Sequence, residues 1–547
     1  MKVSQPRSDT VGTSGVAMQF KNLSFHDGAR NLAPPVRFVT ARTRQPLLPS
    51  RPPPKLGRMK LSLILAGTAA SVLSVSVARA QAPTPAVTPD HIRLVLSALA
   101  DDSMEGRGTG MPGSMRAARF IAEQFRLAGL TPAGDSGYFQ HVPMATRMLS
   151  PNSTLSANGT TLRAAIDFSV AAGRADPRSL DGSQAIYGGV RGDTANALTA
   201  DQVRGKLVIY SGGAGGFGGR GARGGRGGRG GPANNPLDAA AGIATIEGDS
   251  LAPRTVWAAK HTSSGFTKDP SAPPAQPTSA MVSLTKHAAE VLLGTSLDAA
   301  KVGTIGPTIH STVSFIERPA LGGNVVGLIE GTDPSMKDQV VLIDAHYDHL
   351  GIAMPAAGST DSIYNGADDD ASGTTAVIEI ARAIKKGPPP KRTLIFMATT
   401  GEEVGLVGTN WYIAHPVRPL SQMVANLEIE MIDRPDSLAG GPGHAWLTGY
   451  ERSTMGDTLA AHDLPIVKDP RPAQNFFGRS DNIAYARMGI PAHTLSTFDL
   501  HADYHRADDE VRLANFDHMA GVINAAVVAV RLLGDGFKPE WHEGGKP

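Results

Sequence analysis

Five short stretches of this chain place histidine, aspartate and glutamate where they could act together. "DAHYDHLG" contributes His346, Asp348 and His349, and "YNGADDDASG" contributes Asp368, Asp369 and Asp370. "GEEVGL" carries Glu402 and Glu403, "NLEIEMIDRP" carries Glu428 and Glu430, and "HADYHRADDE" carries His501, Asp503, Tyr504 and His505. The chain has no cysteine, which excludes disulfides, thiolate metal sites and cysteine nucleophiles. Imidazole and carboxylate donors without sulfur suit Zn²⁺, with Mn²⁺ or Co²⁺ as substitutes. Taken singly, an acidic run is usually a solvated turn and a lone histidine a structural one. Together they stand where apolar strands run straight into charge, and desolvated carboxylates are costly unless something binds them. The donors outnumber the needs of one tetrahedral zinc and suit two zincs sharing a bridging carboxylate. Adjacent side chains at a strand end face opposite ways. One of the pair Glu402 and Glu403 can therefore hold metal while the other serves as general base.

The elements that would position these residues are regular from about residue 324 onward. "VVGLIEG", "QVVLIDAHYD", "RTLIFMATTGEE" and "SQMVANLEIEMID" read as buried strands. "ASGTTAVIEIARAIKK" has helical spacing, with Val377, Ile380, Ala381 and Ile384 on one face and Gly387 with three prolines at its end. This alternation predicts an α/β fold, a mostly parallel central sheet flanked by helices, with sites beyond the carboxyl ends of its strands. Upstream, "TPDHIRLVLSALADD" predicts a helix that Thr88 or Asp90 can cap. "MRAARFIAEQFRLAGL" predicts a second, with Ala118, Ile121, Phe125 and Leu127 sharing an apolar side and Gly129 stopping it. Residues 150–316 change character to short β-like runs such as "KLVIYSG", "TSAMVSL" and "STVSFIE", which predict an inserted β-rich unit. Within it, the Gly/Arg-rich stretch 211–232 reads as a solvated loop rather than an RNA-binding segment.

A chain of 547 residues exceeds one ordinary core, so two domains plus appendages are expected. The formal charge of +2 gives no case for a nucleic-acid partner. Residues 1–58 are rich in Arg, Pro, Ser and Thr and read as a disordered or over-extended N-terminus. Residues 59–80 run from a short basic start through an apolar stretch to Ala78-Arg79-Ala80, the layout of a secretory signal peptide. Cleavage there leaves a protein beginning near Gln81, exported to the periplasm or the exterior and without stable membrane insertion. No later segment reads as long and apolar enough to span a membrane.

"HYD", "GADDDASG", "GEEVGL" and "DYHRADD", in this order, resemble the co-catalytic di-zinc aminopeptidase family. Its relatives include glutamate carboxypeptidase, glutaminyl cyclase and the transferrin receptor ectodomain. The resemblance covers about residues 320–540, and "EGRGTGMPGSMRAARFIAEQFRLAGLTPAGD" resembles the start of the same domain. It implies a zinc exopeptidase fold with its N-terminal part at 81–149 and its main part at 317–540. It also implies that the β-rich unit 150–316 is an insert similar to a protease-associated domain. By position, the resemblance gives one zinc to His346 and Glu430 and the other to Glu403 and His505, with Asp369 as the bridge. It puts a cis peptide at Asp369–Asp370. It implies that Asp348 orients the His346 imidazole, that Glu402 is the general base, and that Tyr504 donates a hydrogen bond to the tetrahedral intermediate.

The departures are informative. Many members carry Asp where Glu430 stands, with Glu in some relatives, and Glu428 is the alternative ligand on the same strand face. "RSDNIAYARMGIPA" has Asn482 where the family usually has histidine, although Ser480 and Asp481 can still shape the pocket. Asp368, Asp370, His349 and His501 read equally as loop geometry, helix capping and outer hydrogen bonds. The implied reaction is hydrolysis of N-terminal residues from peptides with a free N-terminus, through a metal-bridging hydroxide with Glu402 as base. Carboxypeptidase, dipeptidase or glutaminyl cyclase chemistry on the same centre, or a non-catalytic receptor-like protein, are the alternatives.

Overall fold

The computed structural model describes residues 86–212, 235–269, 271, 273 and 275–547. The readings of 1–58, of the signal peptide at 59–80 and of nearly all of the Gly/Arg-rich stretch 211–232 lie outside the described residues.

Four wholly buried strands form the heart of the molecule: Gly323–Ile329, Val340–His346, Thr393–Thr399 and Met423–Ile429. None alternates apolar with polar, as expected when both faces of a sheet are covered. On one face Val341, Ile343, Phe396 and Leu427 pack with the helices Pro89–Leu99, Pro112–Ala128, Gly373–Lys386 and Phe516–Asp535. On the other, Leu342, Ile395 and Met397 meet Tyr412 and Tyr485 from the short helices Val407–Ala414 and Asn482–Arg487.

The sheet is mixed rather than mostly parallel. Thr393–Thr399, Val340–His346, Met423–Ile429 and Ala492–Ser496 run parallel at its centre. Gly323–Ile329 on one side and Ala445–Leu447 on the other pair antiparallel. Parallel neighbours need a crossover, and the long helix Gly373–Lys386 joins the two central strands that flank it in sequence. The parallel register pairs His346 with Thr399 and Asp344 with Glu428, so these strands end together and their following loops meet.

The helix Pro112–Ala128 stops at Gly129, which has φ 81°. Leu127 departs from the expected apolar side and is 63% exposed, because it lies two positions and so about 200° around the helix from buried Phe125. Thr88 precedes the first helix without a side-chain capping bond; Pro89 occupies its first turn instead. The helix Phe516–Asp535 is long and apolar enough to cross a membrane, contrary to the sequence reading, but 67% of its apolar window is buried within the protein.

The β-rich segment has its own six-stranded sheet, ordered Ile305–Thr308, Gln184–Val190, Leu207–Ser211, Gly242–Gly248, Ala280–Thr285 and Phe168–Val170. Its core of Leu207, Ile209, Val282 and Leu284 is closed by the helix Lys286–Leu293. The chain enters this segment through Met144–Leu149 and leaves through Phe315–Pro319, two strands that pair antiparallel with Leu149 opposite Phe315.

Two buried side chains tie loops at the edges of the sheet. Arg107 is fully buried, and its guanidinium donates to four carbonyls: Tyr347 at 2.7 Å, Leu99 at 2.9 Å, Asn365 at 2.5 Å and Gly366 at 2.7 Å. One cation thus joins the His346–Asp348 loop to the loop leading into Asp368–Asp370. His493, also fully buried, faces the Thr448 carbonyl through Nδ1 at 2.7 Å and Ser453 Oγ through Nε2 at 2.7 Å. A carbonyl only accepts, so Nδ1 carries the hydrogen and Nε2 accepts from the serine.

Two outcomes follow. Arg107→Ala strands buried carbonyls and should lower stability by about 3 kcal/mol or more, and Arg107→Lys, with fewer donors, should recover only part of it. Thermal denaturation with zinc titration checks this; a lysine variant indistinguishable from the parent in both would refute it. Burial depresses the His493 pKa to about 4, so below pH 6.5 the unfolded chain takes a proton that the native imidazole refuses. About 2 kcal/mol should be lost between pH 7.5 and 5 from this group, and His493→Gln should flatten the acid limb of denaturant-measured stability by that amount.

Candidate metal centre

Asp369 stands at the middle of the sheet's carboxyl edge, 2% exposed, with imidazoles on both sides. Its Oδ1 lies 3.3 Å from His346 Nε2, which is 3.9 Å from Glu430 Oε1. Its Oδ2 lies 3.0 Å from His505 Nε2 and 3.7 Å from His349 Nδ1. Glu403 Oε1 completes the second group, 3.2 Å from His505 Nε2 and 3.0 Å from His349 Nδ1. The five residues expected as ligands, His346, Asp369, Glu403, Glu430 and His505, are thus together, in two groups that share one carboxylate.

Three further carboxylates hold the loops by accepting backbone amides. Asp348 accepts Gly401 N at 2.7 Å and Glu402 N at 3.1 Å, fixing the turn that carries both glutamates. Gly401 has φ 75°, and a Cβ there would meet Val407 Cβ at 2.7 Å, so the turn needs glycine. Asp370 accepts Gly373 N at 2.9 Å and Met431 N at 3.0 Å, joining the helix start to the loop of Glu430. Asp509 accepts Asp368 N at 3.0 Å and Asp369 N at 3.1 Å, and Arg434 pairs with it at 3.0 Å. The Asp369–Asp370 peptide is cis.

Several expected roles change in detail. The Asp348 carboxylate is 3.9 Å from His346 Nδ1; the nearer acceptor for that imidazole is the Asp348 main-chain carbonyl at 3.1 Å. Glu428 is fully buried and accepts from Asn482 N at 2.9 Å, Asp481 N at 3.1 Å, Thr494 Oγ1 at 2.7 Å and Ser480 Oγ, so its carboxylate is committed away from the two groups. Ser480 and Asp481 face inward to Glu428 and Thr399. Asn482 donates to the Phe477 carbonyl at 3.1 Å. His501 bonds Asp368 at 2.9 Å, outside the donor groups. Tyr504 stacks on His505 with ring centroids 3.9 Å apart. Beside it, Met431, Trp446, Phe476, Phe498 and Glu430 line a recess of about 40 Å³, with Arg479 on its wall.

Two participants were given no role by the sequence reading, which left His349 open between the site and loop geometry. His349 is 1% exposed and touches the second donor group; its signal was present in "DAHYDHLG". Gly366 makes its place possible, since a Cβ there would lie 2.5 Å from His349 Cγ. Arg107, in "EGRGTG", is the other.

Burial alone would raise every carboxyl here, and the neighbours then divide them. The three imidazoles His349, His346 and His505 more than offset burial at Asp369 and hold it well below the usual carboxylate range. His349 and His505 likewise bring Glu403 to about 2, against burial and the charge of Asp369. Burial dominates at Glu402, which is pushed well above its ordinary value, and takes Glu430 to about 7. Burial opposes protonation of His505, but Asp369 and Glu403 carry it to about 10.

A metal fits these residues. Buried His346 Nε2 and both nitrogens of His349 have no hydrogen-bond partner, although His346 Nε2 and His349 Nδ1 face carboxylates. Imidazole and carboxylate oxygen with no sulfur are ordinary zinc donors. His346, Asp369 and Glu430 would hold one cation, and Asp369, Glu403 and His505, with His349 adjacent, a second.

Residues 324–530 match the description of peptidase family M28. Probable leucine aminopeptidase 2 of Aspergillus oryzae is 28% identical over 232 residues, 38% of this chain and 43% of that protein. The vacuolar membrane protease of Lachancea thermotolerans is 36% identical over 214 residues, 37% of this chain and 19% of that protein. Aminopeptidase YwaD of Bacillus subtilis is 23% identical over 203 residues, 34% of this chain and 39% of that protein. The chain therefore spans less than half the length of these curated relatives. Among solved structures, the aminopeptidase of Aneurinibacillus sp. strain AM-1 aligns over 82% of this chain and 95% of its own, at 18% identity and a TM-score of 0.47. All the donors of the two groups fall inside residues 324–530, the stretch that matches peptidase family M28.

Proposed function

We propose that this chain is an exported two-zinc metalloaminopeptidase that removes N-terminal residues from peptides. One observation carries the reading: Asp369 is shared by two buried donor groups, with Glu402 on the turn beside them. The M28 match and the aminopeptidases among the curated relatives support it. Two bound zinc ions would supply Lewis acidity toward the scissile carbonyl and make water acidic enough to be deprotonated near neutral pH.

The chain's own residues do the rest. Glu402 receives the proton of the attacking water on its carboxylate and returns it to the leaving nitrogen; its burial raises its proton affinity toward that task. Asp348 holds the Glu402 amide, and through it the base, at a fixed place over the centre. The Tyr504 phenol donates to the substrate's carbonyl oxygen as negative charge gathers there. The apolar recess of Trp446, Phe476 and Phe498 beside Glu430 takes the side chain of the departing residue. The surplus of carboxylates around it suits a free ammonium group. The β-rich segment, read as a protease-associated-like insert, reaches this region through Arg174, whose Nη2 donates to the Val404 carbonyl at 2.6 Å, one residue past Glu403. A second reading comes from Arg479 in the recess wall, its guanidinium 5.0 Å from the Phe476 ring centroid: a cation there favours a substrate carboxylate and hence carboxypeptidase chemistry.

Protein beginning at Gln81 should cleave a leucine chromogenic amide bearing a free amine but not its N-acetylated twin. Activity should vanish with a chelator and return with zinc. Cleavage of a blocked peptide from its carboxyl end instead would select the second reading. Glu402→Gln should keep two zinc ions by elemental analysis while kcat falls by about 10²–10⁴; near-parental turnover would remove Glu402 from the base role.

A further inference from the structure

A charged cavity outside the metal centre lies in the β-rich segment. It has a volume of about 490 Å³, inside the ~300–1,000 Å³ range of small-molecule sites. Arg147, Arg178 and Lys268 line it with Asp176 and Glu317, three cations against two carboxylates. Arg147 is only 7% exposed, and its Nε is buried without a hydrogen bond. Its Nη2 bonds Glu317 at 2.7 Å and Asp176 at 3.1 Å, and its guanidinium carbon sits 5.3 Å and 5.5 Å from the ring centroids of Phe266 and Phe315. Lys268 also pairs with Glu317. Both carboxylates are therefore matched by these two cations. Arg178 is not: its Nη1 donates to the carbonyls of Asp238 and Ala240, each at 2.6 Å, and among the described residues no carboxylate is within ion-pair reach.

The cavity wall thus carries a guanidinium without an ion-pair partner, an exposed ammonium and an exposed carboxylate. The Asp176 side chain is 76% exposed, so its second lone pairs are accessible. The chain just before this wall reaches the turn that follows Glu403. Arg147 Nη1 donates to the Gly173 carbonyl at 3.3 Å, and Arg174, the next residue, donates to Val404, adjacent to Glu403. The strand of chain from Gly173 to Arg178 thus forms part of the cavity at one end and leans on the Glu402–Glu403 turn at the other.

We propose that this cavity is a second binding site, for a small zwitterion such as a free amino acid or dipeptide, and that its occupancy is transmitted through residues 173–178 to the Glu402–Glu403 turn. Arg178 and Lys268 receive the carboxylate; Asp176 receives the ammonium. The choice of amino acids and dipeptides over other zwitterions rests on the exopeptidase reading, whereas binding itself does not.

Calorimetry with alanyl-alanine tests it on the zinc-loaded full chain carrying Glu402→Gln and again after chelation. A saturable signal should survive chelation, because the cavity holds no metal ligand. It should weaken by about tenfold or more in Arg178→Gln and in Lys268→Gln, and for the N-acetylated and the C-amidated dipeptides. Lys268 is 58% exposed, so its variant stays informative if Arg178→Gln fails to fold. A signal lost on chelation, or indifferent to both variants, overturns the site. With otherwise unaltered zinc enzyme, saturating alanyl-alanine should change kcat on the leucine amide by about twofold or more, and not in Lys268→Gln. A change in KM alone marks competition at the centre and overturns the coupling. An enzyme inactive on the amide that still binds the dipeptide after chelation would refute the aminopeptidase reading and leave the site standing.

Discussion

A carboxylate shared between imidazoles, in a place that water scarcely reaches, sets the terms for this molecule. Asp369 is 2% exposed, and Glu403, Glu402, Glu430 and Asp370 crowd the same edge. Each buried ion carries a desolvation penalty of several kcal/mol unless matched in charge and hydrogen bonding. The histidines match only part of it. The remaining imbalance has the sign that bound divalent cations would answer, and metal binding there would be linked to folding.

The scaffold meets the same constraint with backbone. Asp348, Asp370 and Asp509 each accept two amides, all from the segments that carry Asp369, Glu402, Glu403 and Glu430. Arg107 does the converse, gathering four carbonyls from two loops and a helix end around one cation. Loops at a strand edge are ordinarily the variable, mobile part of an α/β fold. Here they are cross-bound by charged side chains at both kinds of backbone group, which gives the precision that a catalytic constellation needs.

The ordered run of motifs from His346 to His505 was legible because each follows an apolar run that had to be a covered strand or precedes a helix. Other features depended on contacts across the chain. Glu428 and Glu430 are equivalent by strand period, yet the strand ends at Ile429 and the turn at Asn482 closes over Glu428 alone. His349 looks like a loop residue until Gly366, seventeen positions on in the sequence, is seen to clear space for its ring. Asp348 was expected to face its neighbour His346, whereas its carboxylate is drawn to amides more than fifty positions away. The antiparallel flanks of the sheet were hidden for a related reason: strand direction is set by how the chain returns, not by the apolar run itself.

The two strands that lead into and out of the β-rich segment are hydrogen-bonded neighbours, Leu149 facing Phe315. To the α/β unit, everything between them is the tip of a hairpin. Closing a hairpin already held by its ladder adds little entropy for each doubling of the loop, about 0.6 kcal/mol. Such a junction is a permissive docking port in the chain: whole modules can be exchanged, lengthened or lost at that point while the strands beneath keep their register, so new specificities can be acquired without disturbing the chemistry.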